Sequence, residues 1–233
     1  MSCARQTTDG SCVDSHRHGW GYSLEDGPGT WFKLNQQYQL CKQGHHQSPI
    51  NIHKDHIPSI SDYQLSYQGY IHDVVDNEHT VEFDYEAGSS LILHGKEYQL
   101  KQFHFHSPSE HTVEGERYDM EIHFVHQNAK QKDLTVLAVL VKAGQENPLI
   151  QSLWTHLPQD KHKHHVFTND HINVVDLIPD DLEAYYYHGS LTTPPCLETV
   201  SWLVLKETIE MSQKQLDYFH KFYNWNIRDL QAE

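Results

Sequence analysis
Two histidines, His104 and His106, sit two residues apart in the run QFHFHSPSEH, Gln102 to His111, alternating with Phe103 and Phe105. In an extended strand residues i and i+2 project from one face, so the two imidazoles point together while the phenylalanines pack the other way. A second run, YDMEIHFVH, repeats the device: Glu121, His123 and Val125 share one face, Ile122 and Phe124 the other. If these strands pair, His104, His106 and His123 converge as three neutral nitrogen donors. That number suits a Zn²⁺ ion whose fourth position stays open to water, the pattern of a catalytic centre. The alternative is that each histidine merely fills a half-buried strand position, and these residues alone leave both readings open.

The neighbours favour the metal. A ligating imidazole needs an acceptor for its other ring N–H, and Gln102 and Glu121 each lie two residues from a candidate ligand on the same strand face. Further on, HGSLTTPPCLETVSW, His188 to Trp202, places Thr192 and Thr193 before a rigid Pro-Pro. Their hydroxyls can be held at fixed positions against a metal, and Glu110, if buried, can orient one of them by accepting its proton.

The elements that must carry these groups are mostly strands. Alternating runs bounded by Gly, Asn, Asp or Pro predict strands over Tyr63–Tyr67, His79–Tyr85, Ser90–Leu93, Glu97–His106, Tyr118–His126, Leu134–Lys142, Val174–Leu177, Tyr185–Ser190 and Thr199–Leu205. Two helices are predicted: Pro148–Leu157 after Asn147, and Ser212–Phe222, with Ser212 as cap and Leu216 and Phe219 on one face. The histidine tract His162–His165, flanked by lysines, reads as a solvated loop rather than a metal clamp.

With 233 residues and no internal repeat, low-complexity linker or charge block, the chain fits one domain, residues 18–233, behind a segment 1–17. Lys and Arg number 17 against 32 acids, which argues against nucleic acid as a partner. No apolar run reaches the roughly 20 residues of a membrane span, and no charged-then-apolar leader is visible. The chain is therefore read as soluble, with Met1 replacing a removed signal peptide. Four cysteines without C-x-x-C spacing leave disulfides or buried thiols open, and disulfides imply an oxidising compartment.

The segments HFHSPSEHTV, MEIHFVHQN and GSLTTPPCLETVSW, with HGWGY near the start, QSPINI at Gln47–Ile52 and DNEHTV at Asp76–Val81, resemble the α-class carbonic anhydrases, in the bacterial and plant form more than the animal one. The likeness runs from about His18 to about Gln231. It implies a mainly β (α+β) single domain: a twisted, mostly antiparallel sheet of about ten strands with few peripheral helices. It further implies a zinc lyase, carbonate dehydratase, hydrating CO2 reversibly to bicarbonate and a proton through zinc-bound hydroxide, with sulfonamides and anions as inhibitors. His104, His106 and His123 match the zinc ligands, Gln102 and Glu121 the partners of two of them, and the main chain of Asn226 that of the third. Thr192 matches the threonine that donates to the carboxylate matching Glu110 while accepting from the hydroxide. His79 matches the proton shuttle on a polar side that includes Tyr22 and Asn77. Thr193, Val125, Val136, Leu191 and Trp202 match the substrate pocket.

Glu82 departs from the pattern, standing where a neutral polar residue is often found, and a carboxylate there raises pKa values in the cavity. Cys41 and Cys196 match the positions of a disulfide in secreted members, which implies a periplasmic or secreted protein. Cys3 and Cys12 have no counterpart; they pair together or between subunits, the latter making a homodimer. The resemblance also predicts cis bonds at Ser48-Pro49 and Pro194-Pro195. A different class of function is a non-catalytic, carbonic anhydrase-like binding protein; such relatives usually lack a ligand histidine, whereas this chain has all three.

Overall fold
The computed structural model describes residues 19–131, 133–158, 160, 163–167 and 171–232. The segment 1–17 with Cys3 and Cys12, together with His18 and His162, lies outside the described residues. Alternation of apolar and polar residues dominates the middle of the chain, and the backbone forms a sheet of twelve strands. Across it run His164–Val166, Ile71–Asp76, Val81–Tyr85, Lys96–His106, Met120–Gln127, Leu134–Ala143, Val200–Leu205, Ala184–Gly189 and Ser59–Ile60. The Ser90–Leu93 strand lies between Tyr63–Ser66 and the first half of Lys96–His106. Pairing is antiparallel except at Leu134–Ala143, which meets both Val200–Leu205 and Ile209–Met211 in parallel. A separate three-stranded sheet joins Asn51–Ile52, Thr112–Val113 and Glu116–Arg117.

One face of the central strands is the core. Phe83, Phe103, Phe105, Ile122 and Phe124 are fully buried there, and the rings of Phe83 and Phe124 stack on Phe103 at centroid distances of 4.8 and 5.5 Å. Each such side chain contributes about 2–3 kcal/mol through burial, which makes the pleat of these strands hard to reverse. Two helices close this face through Trp154 and Phe219, with Phe105 5.0 Å from Trp154. Pro148–Trp154 starts where the Asn147 side chain accepts from the Leu149 and Ile150 N–H groups. Gln213–Phe219 starts with a reciprocal capping box between Ser212 and Gln215. The opposite sheet face is left to carry polar chemistry.

Three local expectations are corrected. Val174–Leu177 is not a strand: Val175–Leu177 is a 3₁₀ turn that buries Val174 and Leu177, three residues apart, and leaves Val175 exposed. Ile71–Asp76 is a strand the pattern hid, because a register shift between Ile71 and Asp73 breaks the alternation. The described part of the histidine tract is an edge strand, His164–Val166, and His164 Nδ1 lies 2.6 Å from Asp73 Oδ2. The cis bonds at Ser48-Pro49 and Pro194-Pro195 are present, and Ser107-Pro108 is cis as well.

Cys41 and Cys196 form a disulfide across 155 residues, tying the N-terminal helical turns to the loop that carries Thr192. Loop-closure entropy sets an upper value of about 5 kcal/mol for so long a loop, and measured gains are commonly smaller. Reduction is expected to lower the melting temperature by roughly 5–15 °C, since 1 kcal/mol corresponds to a few degrees in a chain this size. Calorimetry with and without reductant checks this, and an unchanged transition would show that the bridge restrains nothing in the unfolded chain.

Candidate metal centre
The Lys96–His106 and Met120–Gln127 strands pair antiparallel with His104 opposite His123 and His106 opposite Glu121. Because the aromatic residues between them are committed to the core, the three imidazoles emerge together on the other face. Ring centroids are 5.0 Å apart for His104 and His106, 5.2 Å for His104 and His123, and 4.6 Å for His106 and His123. Each ring has one nitrogen spoken for. His104 Nδ1 donates to Gln102 Oε1 at 2.8 Å, His106 Nδ1 to the Asn226 carbonyl at 2.7 Å and His123 Nε2 to Glu121 Oε1 at 2.8 Å.

These partners accept only, so the tautomers follow: lone pairs remain on Nε2 of His104 and His106 and on Nδ1 of His123. The three residues can bring one ligand atom each within 4.8 Å of one another. His106 Nε2 is buried with no hydrogen-bond partner among the described residues, an unmet acceptor that a cation would satisfy. Burial, then the neighbouring imidazoles, hold His104 well below the usual histidine range; burial likewise lowers His106. Both rings are thus neutral donors at neutral pH. Three neutral imidazoles with one open approach fit Zn²⁺.

Glu121 binds the His123 side of the trio to a longer network. Burial alone would raise its carboxyl, but His111 and His123, by charge and hydrogen bonds, hold it well below the usual range. Its oxygens accept from His123, from His111 Nδ1 at 2.7 Å and from the His111 N–H at 2.8 Å. A second possible grouping of His111, Glu121 and His123 is therefore already saturated by internal hydrogen bonds. His111 Nε2 lies 2.6 Å from the Tyr187 hydroxyl, which donates to Ser48 Oγ at 2.9 Å. His111 and Tyr187 were missed by sequence reasoning; the only signal was the carboxylate-histidine pair Glu110-His111, read for its glutamate alone.

Glu110 is fully buried. Its Oε1 accepts from the Arg228 N–H at 2.9 Å, while Oε2 lies 3.6 Å from His106 Nε2 and has no hydrogen-bond partner among the described residues. The expected bond from Thr192 to Glu110 is not formed among the described residues, although Thr192, 6% exposed, lines the same cavity as the imidazoles. Asn226 is fully buried and holds more than His106: its side chain accepts from the Ser107 N–H and donates to the carbonyls of His79 and Phe105.

The trio lines a cavity of about 280 Å³ together with both polar and apolar side chains. Tyr22, Asn77, His79, Glu82 and Gln102 supply polar lining, Val125, Val136, Leu191 and Trp202 apolar lining, and Thr192 and Thr193 line it as well. Val136 and Trp202 are register partners on neighbouring parallel strands. His79 sits in a turn set by Asn77, whose side chain accepts from the His79 and Thr80 N–H groups. The residue is 8% exposed and its ring stacks on Trp20 at 3.6 Å, so it is no surface turn residue. Glu82 stands opposite His104 on the next strand. Burial, helped by Asp84, pushes its own carboxyl up to about 7, whereas the imidazoles of His104 and His106 in the same cavity are lowered by burial rather than raised by the Glu82 charge.

The family model described as eukaryotic-type carbonic anhydrase matches residues 26–231. The chain is 41% identical over 206 residues to a carbonic anhydrase of Neisseria gonorrhoeae, covering 88% of this chain and 80% of the relative. It is 35% identical to that of Pectobacterium atrosepticum, covering 91% and 86%. Among solved structures it is similar to the α-carbonic anhydrase of Thermovibrio ammonificans in complex with the inhibitor sulfanilamide, with a TM-score of 0.87, 40% identity, and 91% and 95% of the two chains covered.

Proposed function
The chain belongs to the eukaryotic-type, or α-class, carbonic anhydrase family, and from that premise we propose that it hydrates CO2 reversibly at a zinc centre held by His104 Nε2, His106 Nε2 and His123 Nδ1. The observation that carries this reading is the convergence of three lone pairs of fixed tautomer in a cavity lined by both polar and apolar side chains. A zinc ion held by these three residues would supply Lewis acidity, which brings the pKa of water to ~7, the value established for carbonic anhydrase itself. Every other part of the reaction is assigned to side chains of the chain.

CO2 has little polarity to grip, and Val125, Val136, Leu191 and Trp202 offer it apolar surface in the cavity that the trio and Thr193 also line. Thr192, by accepting a hydrogen bond from the nucleophile and turning its hydroxyl onto the unpartnered Oε2 of Glu110, a bond not formed among the described residues, would aim the nucleophile at carbon. Gln102, Glu121 and the Asn226 carbonyl keep the rings oriented. Sulfonamides and other anions are expected to compete at the same place. A disulfide-bonded chain without a membrane-crossing helix among its described residues fits an oxidising, periplasmic or extracellular site. Stopped-flow CO2 hydration, with zinc content measured on the same sample, tests the reading; zinc-loaded protein without hydratase activity would favour the binding-protein alternative.

His79 is proposed as the proton carrier. Each turnover sheds one proton, and direct release to water from a group of pKa ~7 is limited to about 10³ s⁻¹, the product of roughly 10⁻⁷ M and a diffusional constant of roughly 10¹⁰ M⁻¹s⁻¹. A side chain of the imidazole type, whose unperturbed pKa of ~6.5 lies close to neutral, relieves that limit when it stands in the same cavity. His79→Ala is expected to lower turnover about tenfold in weak buffer, leave kcat/KM nearly unchanged and recover with added imidazole. Insensitive turnover would assign the proton to another group, with Glu82 first in line.

A further inference from the structure
One buried charge has no part in the chemistry described so far. Arg228 is 2% exposed, its guanidinium 5.8 Å over the Trp31 ring. Nη1 donates to the Ser48 carbonyl at 2.8 Å and Nη2 to the Cys41 carbonyl at 2.7 Å. Burial pushes the guanidinium down to about 10, while the charges of Glu110 and Asp229 act in the other direction. A buried cation is costly to keep unless its hydrogen bonds and neighbouring charges are specific. Here they reach into the catalytic shell.

Glu110 has two oxygens to present, and the backbone N–H of Arg228 occupies Oε1. That leaves Oε2, the oxygen 3.6 Å from His106 Nε2, as the acceptor facing the metal site. The N–H can hold this assignment only if its own backbone is fixed, and the two guanidinium bonds fix it to the disulfide-bearing turn and to the Ser48 carbonyl. We infer that Arg228 is a positioning residue that assigns the two oxygens of Glu110, locking Oε1 so that Oε2 alone receives the Thr192 hydroxyl. This rests on the reading of Glu110 and Thr192 given above. Arg228 itself touches neither substrate nor metal.

A double-mutant cycle separates this from a merely structural role. Glu110→Gln is expected to lower kcat by about 10²-fold, and Arg228→Met by about 5- to 20-fold with KM for CO2 near the parent value. In the Glu110→Gln background Arg228→Met should cost no further kcat, while its lowering of the melting temperature persists equally in both backgrounds. Arg228→Lys, which keeps the charge and one hydrogen bond, should restore part of kcat; if the methionine variant does not fold, the lysine variant carries the same cycle. Zinc per chain should match the parent in every variant. An equal kcat loss in both backgrounds, or a zinc loss that accounts for it, overturns the inference. Unchanged kcat in Glu110→Gln alone overturns the reading of Glu110 on which it stands.

Discussion
Replacing any one of His104, His106 or His123 by alanine is expected to abolish both stoichiometric zinc and measurable CO2 hydration. Two imidazoles cannot complete the donor set that three build here, and Glu121 is not free to step in for a lost ring: its oxygens are taken by His111 and His123. Loss of an outer hydrogen-bond partner already costs about 10–100-fold in metal affinity, so loss of a ligand should exceed that. The folded chain should survive, because the phenylalanines that set the strand pleat lie on the other face. A ligand at 100 times its Kd stabilises the native state by about 2.7 kcal/mol, so added zinc should raise the melting temperature of the parent and not of the variants. Metal analysis after dialysis and stopped-flow rates on the same samples decide it. A single variant that keeps one zinc per chain and full turnover would remove its residue from the assignment.

The parts of this centre that could be read in the sequence are those built from local periodicity. A two-residue spacing of His104 and His106, aromatic alternation and a matching run around His123 specify face and strand together, and the register places them side by side. Contacts between distant residues left no such mark. Arg228 reaches Glu110 across 118 residues and Cys41 across 187, and His111 reaches Tyr187 across 76. Each is a single polar residue in an unremarkable local context, and its role exists only once the chain has closed on itself. Strand boundaries failed where a local exception broke the rule: the register shift near His72 hid one strand, and a helical i, i+3 burial of Val174 and Leu177 imitated another. Glu82 was legible as a departure but not in its effect: its charge predicts a rise in its neighbours, whereas burial raises Glu82 itself and lowers the imidazoles of His104 and His106.

Thr192→Ala should leave zinc and fold intact and remove about 10²-fold from kcat, the scale of losing one preorganised hydrogen bond at a reacting centre. Thr192 is well placed to act without holding anything together: it lines the cavity, it is nearly buried, and among the described residues it makes no bond to Glu110 that its removal would break. The buried Oε2 of Glu110 lacks a hydrogen-bond partner there too. A buried carboxylate oxygen gains from any donor that reaches it, and a threonine hydroxyl that donates to it has only its lone pairs left to offer the nucleophile. Such a bond would fix the direction in which Thr192 donates, and with it the orientation of the attacking oxygen. Thr192→Ser, which keeps the hydroxyl, should retain most of the rate, whereas Thr192→Val, which keeps the shape, should fall with alanine. Because the effect passes through one hydrogen bond, adding Glu110→Gln to Thr192→Ala should cost little more than either change alone. Equal turnover in the parent and the alanine variant, at equal zinc content, would show that the nucleophile is oriented by some other group.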